Sequence, residues 1–86
     1  MTIHKYKLQI VDTQRIAMHA NARILTVQAQ DGDLYLWAEV DTSKHVEGRG
    51  IVIRGTGRPF TAWAVSYLGT VQLGGFVWHV YEDLLP

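Results

Sequence analysis

Side chains alternate between polar and apolar at every second position through most of this chain, and that period constrains the fold more than any other feature. Near the start, Tyr6, Leu8 and Ile10 alternate with Lys5, Lys7 and Gln9, the pattern of a half-buried strand. Residues 15–19 repeat it, with Ile16 and Met18 on one side. Across 23–30, Leu25, Val27 and Ala29 are expected to share one face, and Ile24, Thr26 and Gln28 the other. Asp31-Gly32-Asp33 follows, a strong hairpin signal because Asp-Gly readily takes the positive φ angles of a tight turn. In 34–40, Leu34, Leu36, Ala38 and Val40 oppose Tyr35, Trp37 and Glu39. Residues 51–54 read as a short strand, and 67–73 and 76–82 as a second hairpin around Gly74-Gly75. No helical period persists anywhere. The prediction is an all-β fold: one small domain over residues 1–86, a sandwich or partly open barrel of six to seven short strands. The polar, glycine-bearing stretch 41–50 reads as the most mobile internal loop. Residues 58–66 fit a wandering loop, a helical turn or a strand equally.

A chain of 86 residues buries roughly 60–65% of the surface its unfolded form exposes, which supports a modest core. With 48% hydrophobic residues it lies far from disordered compositions. There is no cysteine, so neither disulfides nor thiolate metal sites can staple it. That absence is compatible with a reducing cytosol. Large apolar groups sit on both faces of two strands: Tyr35 and Trp37 oppose Leu34 and Leu36, and Phe76, Trp78 and Val80 oppose Val77 and Tyr81. One small core covers one face of each sheet, which predicts a homo-oligomer. A closed barrel with outward aromatics is the alternative. Eight basic and eight acidic side chains give a formal charge of zero, which argues against duplex nucleic acid as a partner. No stretch approaches a membrane span or a signal peptide, so no membrane partner is expected and the reading is a soluble intracellular protein.

Little here points to catalysis. His4, His19, His45 and His79 match no metal-ligand spacing, so no metal is predicted. Ser43 and Ser66 stand outside any nucleophile-elbow pattern, and the acid pairs Asp31/Asp33 and Glu82/Asp83 fall in a turn and near the C-terminus. No catalytic residue and no cofactor are assigned, and the expectation is a non-enzymatic protein. The exception to this blandness is Arg54-Gly55-Thr56-Gly57-Arg58-Pro59. Two glycines around a threonine let the backbone turn sharply and present N–H groups to an anion, and arginine forks suit phosphate. The spacing is neither a Walker loop nor a dinucleotide fingerprint. Two readings stand: a strand-end turn with solvated arginines, or a ligand contact. In the second, Arg54, Gly55, Thr56, Gly57 and Arg58 hold the anionic part, Arg49 and Lys44 close over it, and Trp37 or Trp63 stacks on a base.

The opening Ile3-His4-Lys5-Tyr6, the Leu36-Trp37 pair, Gly55-Thr56-Gly57-Arg58-Pro59 and the Tyr67–Glu82 hairpin segment occur in this order. In that combination the chain resembles a family of short, functionally uncharacterised proteins of tailed bacteriophages and prophages, with an I-H-K-Y start and a G-T-G-x-P turn. The resemblance spans about Ile3 to Glu82 and brings no catalytic residues. It implies a small phage protein in the host cytoplasm, of the kind that acts against host defence. The expectation that follows is a homo-oligomer that binds and sequesters a nucleotide-derived immune signal, such as a cyclic dinucleotide or an ADP-ribose-like molecule. The alternative is a protein–protein module, either a virion accessory component or an inhibitor of a host defence enzyme.

Overall fold

The computed structural model describes residues 1–61 and 64–85. Seven strands account for most of them: β1 (Thr2–Leu8), β2 (Thr13–His19), β3 (Arg23–Gln30), β4 (Asp33–Val40), β5 (Val46–Gly55), β6 (Val65–Leu73) and β7 (Phe76–Asp83). They form two antiparallel sheets, ordered β1-β4-β3 and β2-β5-β7-β6. The sheets stay separate, so of the two predicted architectures the fold is the sandwich. No helix among the described residues is long and apolar enough to cross a membrane.

The period-2 pattern decides what each sheet contributes to the core. Leu34, Leu36, Ala38 and Val40 of β4 all point inward and are fully buried. They meet Met18, Ile51, Ile53 and Val80 from the other sheet. The hairpin signals hold: Asp31 and Gly32 carry φ of 52° and 83°, and Gly74 and Gly75 carry 59° and 85°. Two successive positive φ angles are those of a type I′ turn, whose twist matches that of its strands.

Two local readings are corrected by packing, and a third, left open, is settled in part among the described residues. In β3 a bulge falls between Ile24 and Thr26. The extra residue breaks the shared face expected of Leu25, Val27 and Ala29: Ile24 packs on the core and Leu25 is left 40% exposed on the outer side. The expected loop 41–50 is shorter, because β5 already begins at Val46. Its glycines allow close approach within a strand. A Cβ at Gly48 would lie 2.9 Å from Nε of Arg15, and one at Gly50 would lie 3.0 Å from Cβ of Asp83. Residues 41–44 form a turn in which Asp41 accepts hydrogen bonds from the amide and hydroxyl of Ser43. In the open stretch 58–66, Val65 and Ser66 start β6, while Phe60 lies on the outer face of the four-stranded sheet against Tyr81, with ring centroids 5.3 Å apart.

The two ends of the sandwich are built differently. At one end the β2–β3 and β4–β5 connections are tied together, with the Ala20 amide donating to the His45 carbonyl and His19 Nδ1 donating to the Lys44 carbonyl. At the other end converge the β1–β2 connection, the C-terminus of β5 and the tip of the β6–β7 hairpin. There the Ile53 amide donates to the Asp12 carbonyl over 3.1 Å, and a cleft opens beside this contact.

Candidate functional site

Antiparallel pairing of β5 with β7 sets Gly55 opposite Trp78. The chain leaves β5 through a turn in which the Arg58 amide donates to the Gly55 carbonyl over 3.2 Å. Gly57 carries φ of 86° at the third position, the requirement of a type II turn and the reason a glycine stands there. Gly55 lies flat against the indole: a Cβ there would sit 3.4 Å from Trp78 Cζ3. Thr56 is tied down as well, its hydroxyl 2.8 Å from Nε2 of His79, whose Nδ1 lies 3.0 Å from the hydroxyl of Thr70. The phenol of Tyr67 extends the chain by bonding Thr70. The turn is thus fastened to β7 and β6 through one imidazole.

Around this turn opens a cleft of about 1010 Å³. One wall is Arg54, Gly55, Thr56 and Arg58, continued by Pro59 and Phe60. Phe76 and Trp78 form the second, and Ile10, Val11 and Asp12 the third. Arg54 reaches from β5 to the β1–β2 connection, where its Nη1 donates to the Asp12 carbonyl at 2.8 Å and stands 3.7 Å from the Asp12 carboxylate. Its guanidinium also lies over the Phe60 ring, 5.5 Å from the centroid. Arg58 has no hydrogen-bond or ion-pair partner for its side chain among the described residues. Phe76 is 65% exposed, with its ring 5.7 Å from that of Trp78. The arrangement offers a cation with no side-chain partner among the described residues, a half-committed cation and an exposed aromatic ring in one concavity, which suits binding of an anion that carries a planar group.

Of the residues expected to share a ligand site, Arg54, Gly55, Thr56, Gly57 and Arg58 lie together in the turn, and all but Gly57 line the cleft. The other expected members are placed elsewhere. Arg49 points into the sandwich, where its Nε binds the Glu82 carboxylate and its Nη1 donates to the Ala22 carbonyl at 2.8 Å. That hydrogen bond with Glu82 holds the Arg49 guanidinium above its ordinary pKa. Lys44 belongs to the tied end, at the far side of β5, a strand of 10 residues that spans about 30 Å. Trp37 faces outward from the other sheet, in a shallow groove with Ile3, Leu25, Thr26 and Gln28. Trp63 lies outside the described residues. Sequence reasoning did not select Asp12, Phe60, Phe76 or Trp78 for the site. The signal for Phe76 and Trp78 was present, since Gly74-Gly75 had to place them at a hairpin tip. Which other segment that tip would meet depends on the β5–β7 pairing, which leaves no local mark.

Two further polar features lie away from the cleft. The Tyr6 hydroxyl is buried without a partner among the described residues, and burial pushes its pKa up. His4 and His19 bring their rings to 6.1 Å across the edge between the sheets, and no group of three or more metal-ligand side chains assembles among the described residues.

No curated protein and no solved structure matches the chain. A family model described as a domain of unknown function (DUF7352) matches residues 1–85, and the chain belongs to that family.

Proposed function

We propose that this chain is a non-enzymatic binding module whose open cleft holds a small anionic ligand with a planar ring, the chemistry of a nucleotide derivative. The observation that carries this reading is the meeting of Arg54, and of Arg58, which has no side-chain partner among the described residues, with the exposed ring of Phe76 in one concavity. Arg58 swings onto the anionic group, Arg54 supports it from the strand, and a base lies on Phe76. Trp78 backs the turn and keeps the wall rigid. Affinity alone suffices for the biological role drawn from the resemblance: a phage-encoded protein in the host cytoplasm that holds a nucleotide signal away from its receptor. A thermal-shift screen against nucleotides and cyclic nucleotides tests it. Ligand at 100 times its Kd adds about 2.7 kcal/mol to a native state that alone binds it, a rise on the order of 10 °C for a domain this small. Absence of any shift across the panel would overturn the reading.

A second reading is favoured by the other sheet. Ile3 and Leu25 are exposed beside Trp37 on its outer face, an apolar surface suited to a protein partner or to self-association. Light scattering of the wild type and of Trp37→Lys distinguishes these, because loss of a higher-mass species in the variant assigns the face to a homo-oligomer.

A further inference from the structure

β1 and β2 are edge strands of different sheets, and they meet along one seam of the sandwich. The seam is tied near the turn that joins them. There the Gln9 amide donates to Oε1 of Gln14 over 3.0 Å, and Nε2 of Gln14 donates to the Gln9 carbonyl over 2.8 Å. At the far end His4 of β1 meets His19 of β2, with ring centroids 6.1 Å apart and planes inclined by 56°. Both rings are half-buried. His19 is oriented from behind: its Nδ1 lies 2.7 Å from the Lys44 carbonyl. A carbonyl only accepts, so in the neutral ring Nδ1 carries the proton and Nε2 presents a lone pair. Lys44 is itself fixed in its turn, where its amide donates to the Asp41 carbonyl at 3.1 Å. The Tyr6 ring, 6.2 Å from that of His4, brackets the other imidazole along β1. We propose that His4 and His19 together hold a divalent cation of the zinc and copper class across this seam. The site belongs to the tied end of the sandwich and stands independently of the binding reading above.

Coordination distances agree with the spacing. A Zn–N bond of about 2.0–2.1 Å puts a ring centroid about 3.2 Å from the ion. Two rings on one ion then stand about 5.2 Å apart at the tetrahedral angle and about 6.4 Å apart when opposed. The observed 6.1 Å falls between these limits. Imidazole nitrogen suits zinc, copper and nickel, whereas magnesium and calcium take oxygen ligands. The bond from Nδ1 of His19 to a backbone carbonyl is the outer-shell contact that fixes tautomer and ring orientation in metal-ligating histidines. No third histidine or carboxylate joins the pair among the described residues, so water completes the shell and the ion is exchangeable. The two residues come from different strands with no local motif between them, and only the folded sandwich sets them side by side. The ion therefore favours the native state and closes the second end of the seam.

Calorimetry of the tag-free protein with Zn²⁺ and with Mg²⁺ tests the proposal. One Zn²⁺ should bind per chain, and Mg²⁺ should give no binding heat. His4→Gln and His19→Gln should each weaken Zn²⁺ by about tenfold or more, because one of two coordinate bonds is lost. His45→Gln and His79→Gln should leave the affinity within about twofold. Zn²⁺ at 100 times its Kd should raise Tm by on the order of 10 °C, and EDTA should reverse the rise. Circular dichroism checks that the sheets persist in each variant. An NMR titration of the wild type needs no variant: Zn²⁺ should displace the ring protons of His4 and His19 and leave those of His45 and His79 in place. Absence of Zn²⁺ binding, or Mg²⁺ binding as tight, would overturn the site. So would Zn²⁺ affinity retained in a folded His4 or His19 variant, or ring shifts confined to His45 and His79. Each of these outcomes leaves the cleft reading as it stands.

Discussion

Arg49 and Arg54 leave the same strand an odd number of residues apart, and that parity sends them to opposite environments. Arg49 turns inward at the tied end of the sandwich, where Glu82 and the Ala22 carbonyl take its donors. Arg54 turns outward at the open end and shares a cleft with Arg58. One arginine closes a protein and the other two leave it available. The lesson is that residue type and proximity in sequence do not define a cationic site in a β protein. Position along the pleat does, because one step changes the face.

The sharpest way to break this contrast is to truncate both kinds of arginine. Arg49→Met leaves the Glu82 carboxylate, only 14% exposed, without its partner. Stability should fall by about 2–3 kcal/mol, somewhat less than for a fully buried pair, read as a lower urea midpoint with an unchanged slope. Arg58→Met should stay within about 0.5 kcal/mol of wild type. Equal losses would mean that both arginines are architectural.

A smaller effect probes how the open end is held. Thr56→Val removes the hydroxyl bonded to His79 and should cost about 1 kcal/mol, as should His79→Phe. The double variant should cost less than the sum, a coupling that a double-mutant cycle in urea measures. Full additivity would show that the imidazole does not fasten the turn.

The smallest effect belongs to the tied end. The hydrogen bonds from the Ser43 hydroxyl and amide hold the Asp41 carboxyl below its ordinary pKa. A carboxyl lowered by folding stabilises the native state above its unfolded pKa, and that contribution disappears as the pH falls through the folded value. An NMR titration should therefore place Asp41 below the usual carboxylate range, and Ser43→Ala should move it upward. No change on removing the hydroxyl would assign the shift to the backbone alone.

A strand count of six to seven, the inward set on β4 and both hairpin turns were legible because each depends on a short-range rule: alternation, or the φ freedom of Asp-Gly and Gly-Gly. The bulge at Leu25 was not, because an extra residue in a strand reads locally as continued alternation. Gly48 and Gly50 read as loop residues, since composition cannot separate flexibility from close approach of Arg15 and Asp83. At the site, the turn from Arg54 to Arg58 announced itself through its glycines. Asp12 and Phe76 did not, because their membership depends on which strands pair. Arg49 and Arg54 part company for one reason: composition supplied the charge of each, and the pairing supplied its direction.

The cleft draws its walls from the β1–β2 connection, the end of β5 and the start of β7, segments far apart along the chain. No local portion of the polypeptide can form it. Non-local β pairing is slow to develop, since distant segments must meet before their contacts contribute. The cleft therefore assembles late in folding, only once the C-terminal hairpin has joined the N-terminal strands. A nascent or partly folded chain would be blind to any ligand, and binding would report completion of the fold with no separate probe.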